Sequence, residues 1–220
     1  HMPTRSVSSI AQGIEGLMYK ALRETVDQLG KSDLDYLYSG STFNAALIWN
    51  DTVYCCNVGD SRLIMLKEDT VMQLSEDHKP DNATERARIE SRNGIIGRSL
   101  DQSGNHFGPL RVWAKGEDLP GLSLSRTVGD QAFESIGITW KPSFVIHQLG
   151  KEKKLIYVLG SDGLFEVLSN LEILTILERF WEGRRVEEAC DALMEAALRQ
   201  WRDLRYDSID DITFIVMFSG

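Results

Sequence analysis

From Ser9 to Leu29 the apolar residues Ile10, Ile14, Leu17, Leu22, Val26 and Leu29 recur at close to 3.6-residue intervals, and Gly30 follows as a C-cap. That spacing predicts a long amphipathic helix. After a polar linker and Ser39-Gly40-Ser41-Thr42, the apolar run Phe43–Trp49 meets the turn pair Asn50-Asp51 and the β-rich run Thr52–Val58, a hairpin pattern. Gly59-Asp60-Ser61-Arg62 then turns the chain into Leu63–Leu66, and Glu68-Asp69 turns it into Val71–Leu74. An antiparallel meander results.

Residues 75–130 are mostly polar and punctuated by Gly and Pro, with a short helix expected over Asn82–Arg92 under an Asp81 or Asn82 cap. The rest of that stretch reads as irregular, and long irregular segments inside compact domains are usually functional. Strands are expected again at Phe144–His147 and Leu155–Leu159. Ser169 or Asn170 caps a helix through Trp181. Arg185–Trp201 forms another, with Val186, Ala189, Cys190, Leu193, Ala197 and Trp201 on one face. The chain closes on the buried strand Ile212–Phe218. Early strands, late helices and no βαβ rhythm predict an α+β fold with antiparallel sheets.

The composition narrows the function classes. With 220 residues and 42% hydrophobic positions the chain can bury one substantial core. The balance of 24 Lys+Arg against 33 Asp+Glu, net −9, argues against nucleic-acid partners and a polybasic membrane surface. No apolar run approaches the roughly 18–20 residues that span a bilayer, and no charged-then-apolar leader opens the chain. Three cysteines, Cys55, Cys56 and Cys190, lack framework spacing and point to a reducing, intracellular setting, cytoplasmic or nuclear. Cys55 and Cys56 face opposite ways if they lie in a strand. His1-Met2 reads as an expression-tag remnant, leaving 3–220 as one domain.

Candidate chemistry sits at the strand ends. In "LIYVLGSDGLFEVL" (155–168) a buried strand runs straight into Ser161-Asp162-Gly163. A buried, unpaired carboxylate costs on the order of 1–3 kcal/mol unless a cation or donors compensate it. Asp60 in "NVGDSR" and Asp210-Asp211 in "SIDDITFIV" occupy the same kind of position. A lone Asp there is an ordinary turn residue. Several that converge would suit Mg²⁺ or Mn²⁺, which take carboxylate oxygens while keeping several waters. Metal-assisted hydrolysis would then be available.

In order, the chain carries "SGST" (39–42), "NVGDSR" (57–62), "LSEDHKP" (74–80), "GPLRVW…PGLSLSRTVGD" (108–130), "GSDGLFEVLS" (160–169) and "DDITFIV" (210–216). Across roughly residues 9–218 it resembles the metal-dependent type 2C protein serine/threonine phosphatases, the PPM family. The resemblance implies a four-layer α/β/β/α sandwich with two antiparallel sheets and a binuclear Mg²⁺/Mn²⁺ site. It implies phosphoprotein substrates and hydrolysis by a metal-bridging water without a phosphoenzyme. Position by position, Asp162 and Asp210 match the family's later metal-ligand aspartates. Asp60 matches the aspartate of the "GDSR" turn, associated with a third, weaker metal position. Glu166 stands where the family usually has an aspartate near that third site, and Asp211 replaces the Asn of the usual "DN" pair. Arg62 and Arg126 could hold phosphate, although pairing with a structural carboxylate is the stronger reading in such turns. His78 reads as structural, and His106 and His147 have no motif around them.

The family's earliest motifs, an Arg-bearing strand with a Glu-Asp pair and the "DGHGG" strand-turn, occur nowhere in this sequence. With them go a metal-bridging aspartate, its adjacent histidine and a phosphate-gripping arginine. The fold is accordingly expected to lack its opening strands and to leave a sheet edge exposed. Two readings stand: a phosphatase whose catalytic site is incomplete in this chain, and a pseudophosphatase that acts by binding.

Overall fold

The computed structural model describes residues 7–116, 121–150, 154–204 and 209–220; His1-Met2 lies outside them. The elements in chain order are α1 (Val7–Leu29), β1 (Gly40–Ser41), β2 (Phe43–Trp49), β3 (Thr52–Val58), β4 (Arg62–Lys67), β5 (Thr70–Gln73), α2 (Ala83–Glu90), β6 (Ile95–Leu100), β7 (His106–Trp113), β8 (Val128–Gly129), β9 (Ser143–Gln148), β10 (Leu155–Gly160), α3 (Asp162–Phe165), α4 (Asn170–Leu177), α5 (Val186–Asp203) and β11 (Phe214–Ser219). The mixed α/β architecture with antiparallel sheets agrees with the reading of the sequence. The chain divides into two compact units. One comprises residues up to Phe43, Cys56–Asp60 and Asp77–Phe144; the other comprises Asn44–Cys55, Ser61–Glu76 and Val145–Gly220.

The second unit is built on a four-stranded sheet ordered β11-β10-β4-β5. Alternation along β4 and β10 sorts their side chains onto two faces. Ile64, Leu66, Ile156 and Val158 share a cluster with Ile173, Leu174 and Leu177 of α4 and with Ala189, Leu193 and Ala197 of α5. Leu63, Met65, Leu155 and Tyr157 share another with Val53 and Cys55 of β3. Both faces of these strands are therefore covered, which is why they read as continuous apolar runs. A capping box fixes the start of α4: the Ser169 side chain accepts from the Glu172 backbone, and Glu172 accepts from the Ser169 N–H at 2.8 Å. That helix stops at Leu177, and a 3₁₀ turn over Glu178–Phe180 replaces the last turn expected up to Trp181.

The hairpin expected around Asn50-Asp51 forms. β2 and β3 are neighbours in a three-stranded sheet ordered β2-β3-β9, and the connecting residues take φ of 47° and 54°. Two consecutive left-handed residues make the turn whose twist matches flanking strands.

In the first unit Leu22 of α1 packs with Cys56 and Val58 of β3 and with Trp140 and Phe144. Cys55 and Cys56 belong to different clusters, as strand alternation requires. A second cluster gathers Ile89, Val112, Phe133, Ile136 and Ile138. The stretch read as largely irregular contains the hairpin β6–β7, in which Ile95 faces Trp113 and Ile96 faces Val112. Its pattern is hidden in sequence by a register shift between Gly97 and Ser99 and by glycines along both strands. The α2 helix starts on an Asn82 cap, whose side chain accepts from the Thr84 N–H.

Leu177 is fully buried among α4, α5 and the sheet, whereas Leu171 on the same helix is 65% exposed. Leu177→Ala is expected to cost about 2–5 kcal/mol in urea unfolding, and Leu171→Ala less than about 0.5 kcal/mol. Equal losses would contradict this account of which helix face holds the unit together.

Candidate metal centre

At the end of β10 the chain is tied to the segment entering β11. The Ser161 N–H donates to the Thr213 carbonyl at 2.9 Å, its Oγ donates to the Asp211 carbonyl at 3.1 Å, and the same Oγ accepts from the Thr213 N–H at 3.2 Å. The backbones approach so closely at Gly163 that a Cβ there would collide with the Asp211 carbonyl. From the other side, Trp201 of α5 donates its indole N–H to the Gly163 carbonyl at 2.7 Å in a buried contact. Thr213 is spent on this junction, and β11 begins at Phe214 rather than at Ile212.

Asp162 and the Asp210-Asp211 pair consequently leave the same end of one sheet, from the adjacent strands β10 and β11. Asp162 is half-buried at the first position of α3, and its Oδ1 accepts from the Gly163 N–H at 3.0 Å. Asp210 and Asp211 are exposed, and Asp210 Oδ1 accepts from the Asp211 N–H at 2.8 Å. Glu166 is exposed one helical turn after Asp162, with its N–H on the Asp162 carbonyl at 2.8 Å. Among the described residues no three His, Cys, Asp or Glu side chains form a group able to hold a metal ion by themselves. Two aspartates from neighbouring strand ends nevertheless fit a hard cation such as Mg²⁺, which binds through one or two carboxylates and keeps several waters.

The remaining candidates have partners of their own. Arg62 donates to Asn170 Oδ1 at 2.9 Å and lies 4.8 Å from the centre of the Phe165 ring. An amide and an aromatic face are thus among its partners.

In the first unit Asp60 is buried, 3% exposed, and ion-paired with Lys79. Glu85, 1% exposed, receives Arg126 at 2.7 and 3.0 Å, Arg88 at 2.7 and 2.8 Å, and the Ser125 hydroxyl at 2.6 Å. Burial would raise this carboxyl, but Arg126, Arg88 and Ser125 outweigh it and hold Glu85 well below the usual carboxylate range. Arg126 is thereby committed to a structural carboxylate. His78 is fully buried, and its Nδ1 accepts from the Gly59 N–H at 3.0 Å. Burial first, then Arg126, lower its pKa to about 4, so the ring is neutral. Sequence reasoning named neither Glu85 nor Lys79. A Lys directly after the buried His of "DHKP" was the available signal for the latter; a helical Glu carries none.

The sequence pattern of protein phosphatase 2C matches residues 5–202. The chain belongs to the protein phosphatase 2C family. A probable protein phosphatase 2C of Oryza sativa subsp. japonica is 32% identical over 192 residues, covering 84% of this chain and 47% of the relative. One from Arabidopsis thaliana is 29% identical over 211 residues, covering 93% of this chain and 61% of the relative. The chain thus spans about half to three-fifths of the length of these relatives. The fold matches the serine-threonine phosphatase 2C of Toxoplasma gondii with a TM-score of 0.79 at 22% identity, over all of this chain and 72% of that one. A sex determining protein of C. elegans shares the fold with a TM-score of 0.68 at 20% identity, over 91% of this chain and 45% of that one.

The neutral His78 of this family member sets a pH dependence. In the unfolded chain the ring titrates near 6.5 and in the folded protein near 4. Between those values the unfolded state binds the extra proton, so stability is complete above pH 6.5 and falls as the pH drops toward 4. The loss is on the order of 3 kcal/mol. Glu85, depressed from 4.5, starts to lose its contribution only below that value and leaves the window from 4.5 to 6.5 clear. Urea unfolding across pH 4.5–7 is expected to show this slope and His78→Asn to flatten it. An unchanged slope in the variant would refute the assignment.

Proposed function

We propose that this domain takes part in metal-dependent hydrolysis of phosphoserine and phosphothreonine in proteins, with Asp162 and Asp210 as ligands of Mg²⁺ or Mn²⁺. The observation that supports it most is the Ser161 junction, which draws both aspartates to one end of the sheet in a chain of this family. A bound divalent cation acidifies water and offsets charge on phosphoryl oxygens. The chain's own residues hold and orient. Ser161 sets the spacing between the two strand ends, the absent side chain of Gly163 lets the backbones meet, and Trp201 fixes the Asp162 turn from behind. Asp211 and Glu166 add negative charge to the same unit and could extend a two-metal centre.

No described helix is long and apolar enough to cross a membrane, and the described cysteines are free thiols. The reading of the domain as one that acts on phosphoprotein partners rests on the family. A second reading has its own support. Asp211 and Glu166 depart from the family pattern, and the described residues lack a third ligand beside Asp162 and Asp210. On that basis the domain would bind phosphoproteins without turning them over.

Phosphate release from a phosphothreonine peptide, measured against Mn²⁺ concentration, separates the two. These 220 residues are expected to bind Mn²⁺ weakly and to turn over little, since removing members of a cooperating set costs several powers of ten in rate. A version extended upstream to supply the Asp-Gly-His-Gly strand-turn is expected to show chelator-sensitive turnover that Asp162→Ala abolishes. Robust turnover by the 220 residues alone would overturn the incomplete-site reading. An extended version that binds phosphoproteins without turnover would establish the binding module.

A further inference from the structure

The family pattern assigns the aspartate of the "GDSR" turn to a third, weaker cation, but in this fold that carboxylate already has a cation. We infer that the Lys79 ammonium is the resident counter-ion of Asp60, and that a divalent ion reaches this carboxylate only by displacing it. The inference rests on the metal-centre reading only in supposing that a divalent ion is present to compete.

The pair is held from both sides. The His78 N–H donates to the Gly59 carbonyl at 3.0 Å and the Gly59 N–H donates to His78 Nδ1 at 3.0 Å, so the dipeptides 59–60 and 78–79 are clamped together. Asn57 adds a bond from its Nδ2 to the same Gly59 carbonyl at 3.0 Å. Gly59 adopts φ of 96°, a conformation that side chains rarely take, and a Cβ there would press on Thr42. The backbone of Lys79 is set by its N–H on the Asp77 carbonyl at 3.1 Å and by its carbonyl accepting from Asn82 at 3.2 Å. Lys79 thus delivers its Nζ to Asp60 Oδ2 from a fixed base.

Burial gives this contact its weight. The Asp60 side chain is 3% exposed and that of Lys79 29% exposed. A charge as enclosed as Asp60 needs a compensating cation at all times. An ammonium is a compact point charge and can stand in for a metal ion, but two cations on one carboxylate repel as the product of their charges over their separation. Lys79 and a divalent ion therefore compete at Asp60, which makes Lys79 a determinant of how tightly the protein holds a cation there. Sequence motifs alone name Asp60 as a metal ligand and leave Lys79 without a role.

Mn²⁺ titration calorimetry and thermal unfolding with and without Mn²⁺ test this on the full chain and four variants. Lys79→Met is expected to lower thermal stability in metal-free buffer, to recover it with Mn²⁺, and to gain a Mn²⁺ site at least about tenfold tighter than any Asp60-dependent site in the unmodified chain. Lys79→Met combined with Asp60→Asn should fold without metal and lack that site. Lys79→Arg should behave as the unmodified chain. If Lys79→Met does not fold without metal, refolding by Mn²⁺ that the double variant neither needs nor shows is the same positive result. An Asp60-dependent Mn²⁺ site of equal affinity in the unmodified chain, or no Asp60-dependent response in Lys79→Met, would overturn the inference. Asp162→Ala keeps the two readings apart: it should remove Mn²⁺ bound at the strand-end centre and leave the gain in Lys79→Met in place.

Discussion

The register of β10 between β4 and β11 governs the second unit and everything placed on it. Gly160 lies opposite Arg62 on one side and Phe214 on the other. Because side chains alternate with a period of two, a slip of β10 by one residue would send Leu155 and Tyr157 to the helix side and take Ile156 and Val158 away from it, disrupting both clusters at once. With that register fixed, Ser161 meets the segment 211–213, and the Asp162 turn emerges against the Asp211 backbone. The acidic end of the sheet is a by-product of where its apolar centre has to sit.

The protein handles its carboxylates in two ways. Asp60 and Glu85 are enclosed, and each is matched by cations of the chain itself: one lysine for the first, two arginines for the second. Their charge is spent on holding loops together. Asp162 is half-buried at the sheet's end, and Asp210 and Asp211 are exposed there.

A similar division runs through the glycines of the motifs. At Gly163 the need is space, because the Asp211 carbonyl occupies the place of a side chain. At Gly59 the need is backbone conformation, which lets the Asp60 turn be clamped by His78. Both are packing requirements that place a charged neighbour. A motif written as Gly-Asp or Asp-Gly therefore records a close approach of two backbones as much as a chemical group.

The sequence alone determined the elements whose signal is local. The period of apolar residues marked α1 and α5, the Asn50-Asp51 pair marked the β2–β3 turn, Asn82 marked the start of α2, and ordered motifs carried the family. It also singled out Asp60, Asp162, Asp210, Asp211 and Glu166. The β6–β7 hairpin stayed hidden because a register shift and glycines erase its alternation, and the ends of α4 and β11 moved because tertiary hydrogen bonds claim the residues there. Only the tertiary structure decided what each acidic residue meets. Asp60 and Asp162 both stand in short Gly-Asp or Asp-Gly turns at strand ends, yet one is enclosed beside Lys79 and the other shares a sheet end with Asp210. That difference depends on which distant backbone lies within about 3 Å, and no local pattern encodes it.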